Sequence, residues 1–278
     1  MSKFTVFTFF TCLFLLSACN NAPAPAPKHA PLDADFPKFY PTETESYIPR
    51  SVDDGFWNTD DIDISAINPN RKLISFTFDD SPSKTLENIL AVFASYNENN
   101  PDALAAATLF CNGHLINDSS LHTLRTAHAL GWEMGNHTYS HPDITALSDE
   151  AFQTEITRTD ELLSTVDGKK LHLFRAPFGR TDKRIKTLST PAIDWTIDTL
   201  DWTGVSSSEI YETVFSQKFD GAIVLMHDGY PNTVEALKRL LPDLKSAGYQ
   251  VVSVSQMSKA NACPLKNGGT YIRARKKS

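Results

Sequence analysis

Little in this chain points to nucleic acid or to a membrane span. Its 278 residues carry a formal net charge of -7, no Lys/Arg block interrupts the body, and the basic cluster at residues 273–277 stands at the very end. Without an electrostatic footprint, nucleic acid is excluded as the expected partner. No apolar run reaches the roughly 20 residues that a transmembrane helix needs. No internal repeat of fixed period is present, which argues against a solenoid. Cysteine is scarce, at four residues. What remains, 41% hydrophobic and 21% charged residues, is the composition of a globular chain with a sizeable core, forming one large domain or two small ones.

The first residues form a distinct segment. Lys3 precedes an apolar stretch (Phe4, Val6, Phe7, Phe9, Phe10, Leu13, Phe14, Leu15, Leu16) that ends in Ser17-Ala18-Cys19, the pattern of a secretory signal. Leu16-Ser17-Ala18-Cys19 resembles a bacterial lipobox, so residues 1–18 are expected to be a lipoprotein signal peptide and Cys19 the acylated residue; ordinary cleavage nearby is the alternative. Residues 19–32, with Pro23, Pro25 and Pro27 alternating with alanines, suit an extended tether. The expected location is the cell envelope, with membrane contact through the lipid alone. Cys111 and Cys263 remain for an oxidising compartment, either paired or as two buried thiols.

Residues 33–70 mix Pro, Asp and isolated aromatics without periodicity and read as an irregular extension packing in part on the main domain, which is expected at 71–260 and followed by a basic tail at 261–278. Ile74, Phe76 and Phe78 alternate with Ser75 and Thr77, the period of a strand, and Asp79-Asp80-Ser81-Pro82 closes it with turn chemistry. Further strands are expected at 107–112, 132–136, 172–175, 192–198, 222–226 and 250–255. Helices are expected at 85–94, 119–130, after the Ser148 cap, after the Ser206-x-x-Glu209 capping box, and at 234–246 around Pro242. Such a β/α series suits a parallel barrel or a doubly wound sheet. In either, reactive residues gather at the carboxyl ends of strands, and Asp79, His137, Arg175, Asp201 and His227 all fall there.

His137-Thr138-Tyr139-Ser140-His141 sets two imidazoles four residues apart, downstream of the Asp79-Asp80 pair. Two neutral imidazoles and one carboxylate make a three-ligand divalent site with a position open to water, the pattern of catalytic zinc. The second carboxylate is left over for proton transfer. A His-x-x-x-His pair alone is weak evidence, since most such pairs are ordinary surface or packed histidines.

Motif by motif, the chain resembles the polysaccharide deacetylase family, also called the NodB homology domain or carbohydrate esterase family 4. The resemblance rests on Thr77-Phe78-Asp79-Asp80-Ser81-Pro82, His137 to His141, Arg175-Ala176-Pro177-Phe178-Gly179, Asp201-Trp202 and Leu225-Met226-His227-Asp228, in the family's order over about residues 71–257. Ser81 departs from the family's usual Gly and would be strained if that position needed positive φ. The resemblance implies a deformed barrel of seven or eight βα units and a divalent metal on Asp80, His137 and His141. It further implies Asp79 as the base, Arg175 as its partner, and the Phe178 backbone N–H as an oxyanion donor. His227 would be the acid, oriented by Asp201, with Asp198 as the rival orienting carboxylate. Trp202, Leu225, Pro177 and Tyr139 would line the substrate pocket, and Trp132 and Trp195 would be core. The isolated His29, His114, His122, His128 and His172 are expected to be solvated or satisfied in the core.

The implied substrate is an acetylated polysaccharide or oligosaccharide, first an N-acetylglucosamine polymer, with O-acetyl xylan as runner-up. Zinc is the expected metal, with cobalt and nickel compatible. An iron oxygenase would not require Asp79, Arg175 and the Asp201/His227 pair. A zincin needs Glu where Thr138 stands. A non-catalytic glycan binder would be expected to have lost a ligand or the base, and none is missing.

Overall fold

A computed structural model describes residues 55–275. The expected signal peptide, Cys19, the tether and extension residues 33–54 lie outside the described residues. In chain order the elements are β1 (Lys72–Ser81), α1 (Leu86–Asn99), β2 (Thr108–Cys111), α2 (Asp118–Ala129), β3 (Glu133–Asn136), α3 (Asp149–Asp167), β4 (Leu173–Phe174), β5 (Ala192–Ile193) and β6 (Ile197–Asp198). They continue with α4 (Ser207–Gln217), β7 (Ala222–His227), α5 (Pro231–Ser246), β8 (Tyr249–Val252), α6 (Val254–Ala260) and β9 (Thr270–Tyr271). The strands pair in parallel in the order β6-β7-β1-β2-β3-β4-β5-β9, a curled sheet clothed in helices. It is the deformed (β/α) barrel that the motifs imply.

The deformation centres on β1. One edge pairs with β7 from Ile74 to Asp79, while the other is shared, with β8 along Lys72 to Ser75 and β2 from Thr77 onward. Alternation along β1 decides what each side chain meets. Ile74, Phe76 and Phe78 are fully buried against the helices, in one core with Ile89, Phe93, Leu237 and Leu240. Phe78 stacks on Trp132, ring centroids 5.8 Å apart, and each such ring contributes ~2–3 kcal/mol of burial. Ser75, Thr77 and Asp79 face the barrel interior instead, where Leu73, Phe110, Leu173 and Ile223 form a second cluster.

Several boundaries differ from expectation. Residues 192–198 do not form one strand: after Ile193 the backbone changes partners, Asp194 N donating to Tyr271 O and Thr196 N to Ile223 O, so two short strands result. The last expected strand stops at Val252 because Ser253 and Gln256 form a capping box that starts α6. Residues 261–275 are not a tail. β9 pairs with β5, Arg273 bridges to Ala222 at the start of β7, Ala274 N donates to Gly221 O, and Leu265 and Ala274 are buried; the Arg/Lys content concealed a segment that packs between β5 and β7. The end of the extension packs as expected, with Trp57 Nε1 donating to Ser255 Oγ at 2.8 Å. Cys111 and Cys263 are both free, Cys111 deep in the helix-side core. Among the described residues no helix is long and apolar enough to cross a membrane.

Candidate active site

The carboxyl ends of β1, β3, β4 and β7 deliver the predicted residues to one place. In a regular strand Asp79 and Asp80 would point to opposite faces. Left-handed backbone at Asp80, φ 59°, breaks that alternation, and both carboxylates reach His137. Asp80 Oδ1 lies 3.3 Å from His141 Nε2 and 3.7 Å from His137 Nε2. Asp79 Oδ2 lies 3.6 Å from His137 Nε2. The positive φ thus falls on Asp80 and not on Ser81, whose side chain is buried and whose Oγ reaches Phe78 O; serine in place of the family's glycine carries no φ strain. Asp80, Thr138, His141, Phe178 and Leu200 are all non-glycine residues at positive φ. Strain of this kind concentrates where the surrounding structure over-determines a functional geometry.

One oxygen or nitrogen from each of Asp80, His137 and His141 falls within 4.8 Å of the others, a set able to hold a cation. The donor chemistry fits a divalent ion. His137 Nδ1 lies 2.9 Å from Arg175 O, so Nδ1 carries the proton and Nε2 presents its lone pair to the cluster. Burial and neighbouring His137 hold His141 below the usual histidine value, which leaves it neutral and able to ligate at pH 7.

Asp79 is buried and held otherwise. Arg175, fully buried, donates from Nη1 to Asp79 Oδ1 and to Thr77 Oγ1, both at 2.7 Å, and from Nε to Ile193 O at 2.8 Å. Its guanidinium lies 4.1 Å from the Phe110 ring centroid. Burial alone would raise the Asp79 pKa, but the charge and hydrogen bond of Arg175, with the charge of His227, hold it below the ordinary carboxylate value. It is therefore ionised, the state a base needs.

Across the cluster, the β1–β7 register sets Asp79 beside His227. His227 Nδ1 lies 2.7 Å from Asp201 Oδ1, while Asp201 Oδ2 accepts from His227 N at 2.8 Å and from Thr233 Oγ1 at 2.7 Å. Burial works against charge on His227, yet the Asp201 hydrogen bond and the Asp79 charge raise its pKa above the usual value. Asp198 is not the orienting group; its Oδ1 accepts from Leu200 N.

Of the expected lining, Trp202 and Phe178 are the exposed pair, at 54% and 62%, and the Phe178 ring meets His141 edge-on at 4.6 Å. Leu225 is buried on β7 at the level of Thr77, and Pro177 is buried beside Phe178. The Tyr139 ring lies 3.5 Å from the Arg158 guanidinium and against Gly113, contacts that buttress the ligand loop. Trp195 is only partly buried. It packs where a Cβ on Gly179, φ 64°, would come within 2.9 Å of its ring, which is why glycine ends that motif.

Sequence reasoning missed two holding residues. Asp228 is fully buried; its Oδ2 accepts from Ser83 N at 2.9 Å, and its carbonyl accepts from Ser83 Oγ and Thr85 Oγ1. It pins the loop after Asp80 to the end of β7, and burial pushes its pKa up to about 7. Asn136 braces the other ligand loop, Oδ1 accepting from Thr138 N at 2.9 Å. Its place directly before His137 was the available signal.

Fold and site together define a parallel α/β barrel with a two-histidine, one-carboxylate cation site, a separate ionised carboxylate, and an oriented histidine opposite. The sequence profile of the polysaccharide deacetylase family matches residues 66–191. Peptidoglycan-N-acetylmuramic acid deacetylase PdaC of Bacillus subtilis is 30% identical over 193 residues, 69% of this chain and 40% of PdaC. A solved structure of PdaC superposes with a TM-score of 0.64 at 30% identity, covering 70% of this chain and 94% of that one. The peptidoglycan-N-acetylglucosamine deacetylase of Bacillus cereus is 29% identical over 68% of this chain and 69% of its own length. A family 4 acetyl xylan esterase from Clostridium thermocellum, solved with a cobalt ion, gives a TM-score of 0.67 at 26% identity, over 73% of this chain and 98% of that one. The chain belongs to the polysaccharide deacetylase family; it spans less than half the length of curated PdaC.

Proposed function

We propose that this chain is a divalent-metal-dependent deacetylase that removes N-acetyl groups from a polysaccharide containing N-acetylglucosamine. The observation that carries the reading is the division of labour between adjacent carboxylates. Asp80 joins the two histidines, while Asp79, one residue earlier, is held 2.7 Å from Arg175.

The cation held by Asp80, His137 and His141 would supply Lewis acidity toward the acetyl oxygen and the attacking water. Asp79 takes the proton of that water as its oxygen bonds to the acetyl carbon. Charge then grows on the acetyl oxygen, where the Phe178 N–H donates. His227 gives its proton to the departing amine as the carbon–nitrogen bond breaks, and acetate remains. Asp201 keeps the His227 proton on Nδ1 and favours the imidazolium. Trp202, Leu225 and Pro177 shape the pocket for the acetyl methyl.

Zinc suits two nitrogen ligands and one oxygen; cobalt and nickel suit them as well. The peptidoglycan deacetylases among the relatives support the N-acetyl reading. Likeness to the acetyl xylan esterase favours O-deacetylation as the second reading, since the same attack serves an ester. Cys19 in its lipobox supports an exported, envelope-anchored protein. Acetate release from chitooligosaccharides, peptidoglycan and acetylxylan, with zinc added and after chelation, tests the proposal. Metal-dependent release from the N-acetyl glycans, lost in Asp79→Asn, is expected; release from acetylxylan alone transfers the assignment to the esterase reading, and none from any glycan refutes deacetylation.

A further inference from the structure

Behind the ligand loop lies a cluster that no step above uses. The His172 side chain, just before β4, is 1% exposed and has a carboxylate at each nitrogen: Nδ1 lies 2.9 Å from Asp160 Oδ1, and Nε2 lies 3.2 Å from Asp167 Oδ1. An imidazole between two acceptors carries both protons. Burial disfavours that charge, but the hydrogen bonds to Asp160 and Asp167 outweigh it and push the His172 pKa up to about 9. Both carboxylates belong to α3, so His172 fastens α3 to the start of β4, the strand that leads into Arg175.

Asp160 Oδ1 has a second donor, Asn136 Nδ2, at 2.9 Å; that nitrogen also reaches Ile156 O at 2.9 Å. The far end of the Asn136 amide accepts the Thr138 N–H. Thr138 is β-branched yet sits at φ 68°, and its Oγ1 accepts from His141 N at 3.1 Å, with His141 itself at φ 57°. Left-handed backbone at a β-branched residue is a costly conformation that persists only when held. α3 holds the loop at a second point, where Glu155 accepts from Ser140 N at 2.7 Å and Ser140 Oγ at 2.8 Å. An unbroken path of hydrogen bonds therefore runs from His172 through Asp160 and Asn136 to the backbone between His137 and His141.

We propose that the Asp160–His172–Asp167 cluster is the positioning device of the metal site: through Asn136 it fixes the strained Thr138 backbone and so aims His137 and His141 at one cation. The inference rests on the metal-site reading. His172 is a positioning residue, and its removal acts on ion affinity and ligand geometry before it acts on chemistry.

Full-length protein stripped of metal is titrated with zinc against a chromophoric chelator, and with cobalt by its visible absorption. In His172→Gln, folded by circular dichroism, zinc affinity is expected to fall about tenfold, as for partners behind metal ligands, with an altered cobalt band. Parental affinity and an unchanged band in the folded variant would overturn the proposal. If the variant does not fold, histidine-ring NMR of the parent decides, because coupling is reciprocal. The His172 ring signals must shift as zinc is added, and signals indifferent to saturating zinc overturn the inference. A parent that takes up neither ion defeats the metal-site reading itself, which is a distinguishable failure.

Discussion

Replacing Asp201 by asparagine isolates the acid from the rest of the site. Asp201 Oδ2 receives two donors, His227 N at 2.8 Å and Thr233 Oγ1 at 2.7 Å, and the backbone N–H cannot reverse its role. The asparagine oxygen must therefore occupy that side, which turns its NH2 toward His227 Nδ1, now 2.7 Å from Oδ1. A donor facing Nδ1 forces the ring proton onto Nε2 and removes the negative charge that raises the His227 pKa. The imidazolium needed to protonate the leaving amine becomes scarce. Positioned general acids are worth roughly 10²–10⁴-fold; with the ring still in place, kcat/KM is expected to fall about 10²–10³-fold, or about 3–4 kcal/mol. The sign of the pH effect follows as well. A raised pKa keeps His227 protonated to higher pH, so activity is lost on the alkaline side as pH rises through it, and in Asp201→Asn that limb moves to lower pH. Zinc affinity stays at the parental value because His227 is not a ligand. Acetate release across pH, with zinc titration of the same protein, is the assay; kcat/KM within about threefold and an unmoved alkaline limb would refute the reasoning.

Asp79→Asn should lower kcat by about 10²–10⁴-fold while metal remains bound, measured by acetate release and metal analysis of the same sample; loss of the ion instead would make Asp79 a ligand. His172 predicts a stability profile. Its folded pKa of about 9 lies above the unfolded value of about 6.5, so its contribution is whole below pH ~6.5 and lost as pH rises through about 9, ~3 kcal/mol in all. Denaturant unfolding between pH 6.5 and 10 should show the parent losing that much more than His172→Gln, and parallel profiles would contradict it. Cys19→Ala should move the protein from the detergent phase to the aqueous phase in a detergent partition of cells expressing it, and unchanged partitioning would remove the lipid anchor from the account.

The residues most legible from sequence were those whose chemistry is tied to a strand end. Alternation at Ile74, Phe76 and Phe78 set the face and the end of β1, and the motif order named Asp80, His137, His141, Arg175 and His227, which the fold brings to one place. Less legible was whatever depends on partners far along the chain. Two-residue strands such as β5, β6 and β9 are too short to show a period, and their pairing comes from the chain closing on itself. Tyr139 sits inside the ligand motif, yet Arg158, nineteen residues on, claims its ring. Trp195 gave the signal of a core aromatic, and its role beside Gly179 appears only with that glycine's backbone in view. His172 looked isolated because Asp160 and Asp167 lie on the preceding helix at no motif spacing; buried charge pairs leave no periodic trace. Asp80 could be named as a ligand but not explained, since the positive φ that turns it toward the histidines is a backbone property.

A crystal structure of the zinc-loaded chain tests the central claim most directly. One zinc ion is expected with Asp80 Oδ, His137 Nε2 and His141 Nε2 at about 2.0–2.2 Å, and with Asp79 uncoordinated and still paired to Arg175. Zinc bound through Asp79, or seated away from the two imidazoles, would contradict it.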